Sequence, residues 1–387
     1  MAFRTQQTED DRVNAGETHF GALVVAGVLV FFLLFMLLEQ AGMPDGVGYF
    51  LTGALLLAVF IVSGLQVRTT EIDEWQVSRR RVLPAMLGMS LAAALITGAT
   101  FTALPGSFFA GSLGAPAWII GPLAGAAACA LLIAPYLRKS MAGAPAAWFL
   151  LRHDGRLAAV AAMALILAAA ILMLAAQLQI VAGLASVYFA ATPTASILLA
   201  AISVAFAVIP GGLRGLVRTN ALAYVMIAMA LMAPLAWIST LATKIPLPQI
   251  AFGIGAAAET AELEDQITRV GMRPIAEMLS DSLPAVQGYA SLSALTLFLI
   301  MGFLAFPPLL SQLSAARQVK TVRPALAWSI GLAALVLTAA PAAAAFAKLA
   351  IYDGIFGLTT SEIRAASGWI LDFSSHFAPL APIQPLV

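Results

Sequence analysis

Charge is scarce in this sequence: Asp, Glu, Lys and Arg make up 10% of its 387 residues, against about 25% in an ordinary soluble protein. So little charge cannot cover the outward faces of a water-soluble domain of this length. Cysteine is rarer still. Cys129 stands alone inside an apolar run, which excludes an intramolecular disulfide and reads as a small buried thiol. The three histidines, His19, His153 and His376, fall in tails and loops, too scattered for a metal or haem site inside a bundle. A formal net charge of +1 gives no argument for a nucleic-acid partner. No enzymatic constellation stands out, and no catalytic residue or resident cofactor is expected.

Apolar residues are what the chain has in excess, at 61% of the sequence. Runs of about 18 or more can cross roughly 30 Å of hydrocarbon as helices. They lie near 20–40, 48–66, 82–104, 115–136, 157–190, 193–210, 215–242, 290–311 and 324–350. The expected class is an all-α integral membrane protein of about nine transmembrane helices, with the lipid bilayer as its first partner. Residues 1–19 are polar and mixed in charge, unlike a signal peptide, and read as a retained cytoplasmic tail.

The Lys and Arg positions give an independent reading of the threading. With the N-terminus inside, the inner segments carry fifteen of the 20 basic residues, among them the tract Arg79–Arg81. The outer segments carry the other five: Lys244, Arg269, Arg273, Lys348 and Arg364. This is the asymmetry expected when basic loops stay in the cytoplasm. The long outer connection, 243–286, holds Glu259, Glu262, Glu264 and Asp265 and reads as short helices with a solvated acidic face. Lys348 lies near the end of the last span, where it is expected to snorkel. The segment 351–387 is too interrupted to span and reads as a helix at the outer interface.

Within the spans, residues 88–106 mix Ser90, Thr97, Thr100 and Thr102 with Gly98 and Pro105. Two readings stay open: small residues that let helices approach closely, or an unwound midpoint whose freed carbonyls face protein or a wet cavity. Gln177 and Gln179 lie inside the fifth span, where a neutral amide bonds a neighbouring helix or lines a cavity.

The order of several motifs resembles the sodium/solute symporter family, in particular its acetate and monocarboxylate permease branch. The stretches are EWQVSRRRVLPAMLG at 74–88, APYLRKS at 134–140, PAAWFLLRHDGR at 145–156, PGGLRGLVRTN at 210–220, PLPQIAFG at 246–253 and APAAAAFAK at 340–348. The resemblance covers about 50 to 350. It implies an incomplete 5+5 inverted-repeat (LeuT-like) symporter fold in a bacterial inner membrane, with substrate and ion held between broken core helices one and six.

On this mapping 20–81 contributes two peripheral helices and a cytoplasmic loop, 82–242 is the first five-helix repeat, and 287–350 begins the second. Core helix one is 82–104 and core helix six is 290–311. The resemblance puts the backbone oxygens of Ala93 and Ile96 in a sodium site, and Thr97, Thr100 and Gln177 are candidates for the substrate cavity. Ala94 stands where the acetate branch has an acid. Pro307-Pro308 and Gln312 stand where that branch has Pro-His and Arg.

Core helix eight, which supplies hydroxyls to the sodium site, has no counterpart in the roughly 37 residues after the last span. A second copy or another membrane subunit is therefore expected to cover the missing helices. Two functions follow: sodium-coupled movement of a small carboxylate, or a transport-incompetent homologue serving as a structural, partner-binding or sensory subunit of a membrane complex.

Overall fold

The computed structural model describes residues 41–78, 82–140, 145–152, 156–189, 192–269, 288–316 and 318–355, with scattered positions between 26 and 38. The expected tail 1–19, most of the first apolar run, the Arg79–Arg81 tract, the far half of the 243–286 connection, all three histidines and the interfacial segment beyond Ile355 lie outside the described residues.

The described chain is helical. In hydrocarbon each backbone N–H and C=O needs a partner, and a helix supplies it within one segment. The helices in order are α1 (Asp45–Leu65), α2 (Ile72–Val77), α3 (Pro84–Leu95), α4 (Gly98–Phe109), α5 (Ala117–Leu132), α6 (Ala134–Lys139), α7 (Pro145–Arg152) and α8 (Arg156–Phe189). They continue with α9 (Pro193–Val208), α10 (Gly212–Thr243), α11 (Pro248–Ala251), α12 (Ala257–Arg269), α13 (Gly288–Leu304), α14 (Pro307–Gln312), α15 (Val319–Leu337) and α16 (Ala340–Ile355). One wide turn, Phe252–Ala256, joins α11 to α12, and a 3₁₀ turn, Leu313–Ala315, follows α14.

Four stretches among the described residues are long and apolar enough to cross a membrane: Arg156–Ser186, Gly212–Thr243, Gly288–Ala315 and Val319–Tyr352. The pair α3 and α4 makes a fifth if counted as one broken span, and Gly53–Leu65, Ala117–Leu132 and Pro193–Val208 are shorter apolar helices. At about 1.5 Å per residue α8 is roughly 50 Å long. That exceeds the hydrocarbon thickness, so α8 must tilt or run beyond it.

The chain forms two compact units. One comprises α1–α3, the end of α5 from Ala127, α6–α9, α10 through Ile227, α14 and α15 through Leu332. Here α9 packs on α8 and α1, α7 on α8, and α3 on α14. Close backbone approach is built in by glycine. A Cβ on Gly64 would sit 2.4 Å from the Ala207 carbonyl oxygen, and one on Gly88 would sit 2.5 Å from the Cβ of Trp328.

The other unit comprises α4, α5 through Ala126, α10 from Ala228, α11–α13, α15 from Ala333, and α16. Its core is assembled from small side chains, Ala251, Ala256, Ala339, Ala342 and Ala345, around Leu235, Phe346 and Leu349. Small residues at a helix contact let backbones approach and gain dispersion contacts, which lipid tails do not provide as well. Gly121 and Gly125 of α5 do the same against Leu299 and Phe303 of α13.

Candidate functional site

Two helices expected as single spans are interrupted at an extended residue. The first, 82–104 in the sequence reading, ends as α3 at Leu95 and restarts as α4 at Gly98. Thr97 between them is extended (φ −97, ψ 168). The break lies within the small-residue stretch singled out above. Pro105 lies inside α4.

At this break the backbone donors are redirected. In an unbroken helix the Thr97 N–H would meet the Ala93 carbonyl, and the Thr100 N–H would meet the Ile96 carbonyl. Instead the Thr97 N–H donates to Thr100 Oγ1 at 3.1 Å. The Thr100 N–H donates to the Thr97 carbonyl at 2.9 Å. Ala93 and Ile96, whose oxygens the sequence nominated, are therefore among the residues at the end of α3 whose helical donors are taken elsewhere. Ile96 is buried, while Ala93, Thr97 and Thr100 are half-buried. The Thr100 hydroxyl is occupied as a helix cap, a role that sequence reasoning did not assign to it. Gln177 is half-buried on α8, and Gln179 is exposed.

The second interruption lies between α13 and α14, where Phe306 is extended (φ −61, ψ 115). Its cause is covalent. Pro308 has no N–H to return to the Leu304 carbonyl. The Leu309 N–H, which would reach Ala305, bonds the Phe306 carbonyl at 3.0 Å. The Pro307-Pro308 pair was visible in the sequence as a departure from the acetate branch, and its consequence for the carbonyls of Leu304 and Ala305 was missed.

The end of α14 holds a buried polar pair that the sequence reading also missed. Ser90 Oγ donates to Gln312 Oε1, and Gln312 Nε2 donates to the Pro308 carbonyl at 2.9 Å. Ser90 is fully buried and Gln312 is 1% exposed. Nearby, Arg138 Nε donates to the Ala316 carbonyl at 2.7 Å, and Val82 forms a parallel backbone bridge with Ala316.

In the same unit two of the quoted motifs meet. Glu74 Oε1 accepts from Arg214 at 2.9 Å, and Trp75 Nε1 donates to the Ile209 carbonyl at 2.8 Å. The Thr69 N–H bonds the Pro210 carbonyl at 3.0 Å. Gly212 has φ +54, and a Cβ there would stand 2.2 Å from the Trp75 carbonyl oxygen. The Pro-Gly-Gly turn therefore needs glycine both for its backbone conformation and for the space. Arg218 continues the contact, donating to Gln66 Oε1 at 3.1 Å.

Two expectations are corrected in the other unit. Lys348 does not snorkel from a helix end: α16 runs on to Ile355, and Lys348 is 9% exposed with its ammonium 2.7 Å from Glu264 Oε1. Glu264 accordingly does not belong to a solvated acidic face, whereas Glu262 and Asp265 are exposed. Once α12 folds back over α16, the carboxylate supplies a nearer counter-charge than the interface does. Among the described residues no three His, Cys, Asp or Glu side chains gather as a metal site.

Several apolar helices of spanning length define a multi-pass membrane protein. The model of the sodium:solute symporter family matches residues 75–355, and the chain belongs to that family. The family so named is one of symporters. Over 85 residues it is 36% identical to an uncharacterized symporter of Cupriavidus necator, a stretch that is 22% of this chain and 12% of that relative's length.

Proposed function

We propose that this chain takes part in sodium-coupled movement of a small solute, and that the main-chain oxygens of Ala93 and Ile96 are among the ion's ligands. The observation that supports it is the redirection of the Thr97 and Thr100 amides at the α3–α4 break. A carbonyl without its helical donor, kept out of lipid, is the kind of oxygen that broken transporter helices offer to a cation. Sodium is a hard cation and prefers such oxygens; about six complete the shell of ions of this type. The others would come from a second copy or another subunit.

A short carboxylate is the substrate class to test first, on the strength of the resemblance to the acetate branch. Thr97, Thr100 and Gln177 are the cavity residues this reading nominates. An incomplete inverted-repeat arrangement, a cytoplasmic N-terminus and a location in the inner membrane belong to the same reading.

The test is uptake of labelled acetate and other short carboxylates into vesicles carrying the protein, purified in mild detergent with whatever accompanies it. Uptake that needs an inward sodium gradient, and is lost when potassium replaces sodium, is expected. Stoichiometric co-purification with other subunits, with no uptake by the assembly, would identify the chain instead as a structural, partner-binding or sensory subunit.

A further inference from the structure

Ser90 differs from the other buried serines. Ser196, Ser203, Ser314 and Ser329 each bond only a carbonyl three or four residues back, the usual arrangement for a hydroxyl within an apolar helix; Ser63 does so too and also meets Thr219 Oγ1 at 3.2 Å, and Ser239 bonds the Ile245 carbonyl. The Ser90 hydroxyl instead crosses from α3 to Gln312 at the end of α14.

The amide of Gln312 can face only one way. Its NH2 must point at an acceptor, and the Pro308 carbonyl stands 2.9 Å from Nε2. Its oxygen therefore turns to the Ser90 hydroxyl. The pair is sealed from solvent, at 0% and 1% exposure, and both polar groups are satisfied. In such surroundings a broken bond leaves a desolvated dipole unpaired, which makes the link stiff.

A second attachment lies eight residues earlier, where Val82 bridges to Ala316 just past the 3₁₀ turn. Arg138 holds that Ala316 carbonyl from α6. The segment leading into α3 and the turn of α3 that holds Ser90 are thus both joined to the α14 segment. Ser90 lies one turn before Ala93, on the same helix.

From this we propose that Gln312 is a positioning residue for the ion: its buried bond to Ser90 fixes α3 one turn before Ala93 and thereby aims the Ala93 carbonyl. The inference rests on the sodium reading above. It adds a side chain that touches no ion and sets the geometry of one that does.

The experiment follows melting of the purified full chain by a thiol-reactive dye. Cys129 is the sole cysteine, and it is fully buried, so labelling reports loss of structure. Melting is recorded across sodium concentrations, with choline as the control. A ligand that binds only the folded state raises the melting temperature with concentration.

The wild type is expected to show a sodium-specific rise. Gln312→Leu and Ser90→Ala are expected to need about five-fold more sodium, or beyond, for the same rise. The double variant Ser90→Ala/Gln312→Leu removes both polar groups, so it is expected to regain much of the melting temperature in choline. Its weak sodium response should remain, because the link is still absent. Ser90→Thr, which keeps the hydroxyl, should respond as the wild type does.

A sodium response of wild-type strength in both Gln312→Leu and the double variant overturns the positioning role and leaves the ion site standing. Absence of a sodium-specific rise in the wild type overturns the ion reading, and the positioning role with it.

Discussion

The ammonium of Lys348 lies 2.7 Å from Glu264 Oε1, across 84 residues of sequence. Tyr352 donates to the same oxygen at 3.0 Å, and the ammonium also sits 5.8 Å from the centre of the Phe109 ring. One cation thus ties α12, α16 and α4 together beside an alanine-rich core. Charges in such surroundings are held by each other, so removing one is worse than removing both.

Lys348→Met and Glu264→Gln are each expected to destabilise by about 3 kcal/mol. The double variant should lose much less than the sum of the two. Dye-monitored melting in detergent measures all three, and strict additivity would show that the two groups do not depend on each other.

Gly88→Ala is expected to cost about 1–3 kcal/mol, because the new methyl meets Trp328 and the Ala325 carbonyl and neither can retreat. Gly106→Ala, on an exposed part of α4 with nothing within 4 Å of the new methyl, should instead be neutral or stabilising by up to about 1 kcal/mol. Equal effects in the same melting assay would contradict the close approach of α3 and α15.

Gly212→Ala combines a positive φ with a collision against the Trp75 backbone and is expected to lower stability by about 2 kcal/mol or more. Trp75→Phe keeps the ring contact but forfeits the bond to the Ile209 carbonyl, at a cost near 1 kcal/mol. The order of the two melting temperatures is the check.

Thr100→Val removes the acceptor of the Thr97 amide. That N–H then turns back to the Ala93 carbonyl and closes the helix over one proposed ligand. A weaker sodium-dependent rise in melting temperature is expected; an unchanged rise would separate the cap from ion binding.

Cysteines placed at Arg68 and at Gln266 test the threading, since buried Cys129 gives little background. A membrane-impermeant maleimide should label Gln266→Cys in intact cells, and Arg68→Cys only after the membrane is opened. The reverse pattern would invert the topology.

Composition alone determined that this chain lives in lipid, because transfer of apolar side chains depends on their sum and little on their neighbours. The stretch around Thr97 and Gly98 was legible as a weak point for the same local reason. The interruption at Pro307 and Pro308 was open to the same local reading, since a missing N–H is a covalent fact, but the pair was noted only as a departure from the acetate branch. Tertiary structure alone decided where the polar groups went. That Glu264 reaches Lys348, that Gln312 takes the hydroxyl of Ser90, and that Trp75 seats the Pro-Gly-Gly turn are choices of partner between residues far apart in the chain. A hydrogen bond or ion pair acts over a few ångströms, so its partner is set by the residue that folding brings opposite, and hydropathy holds no record of that.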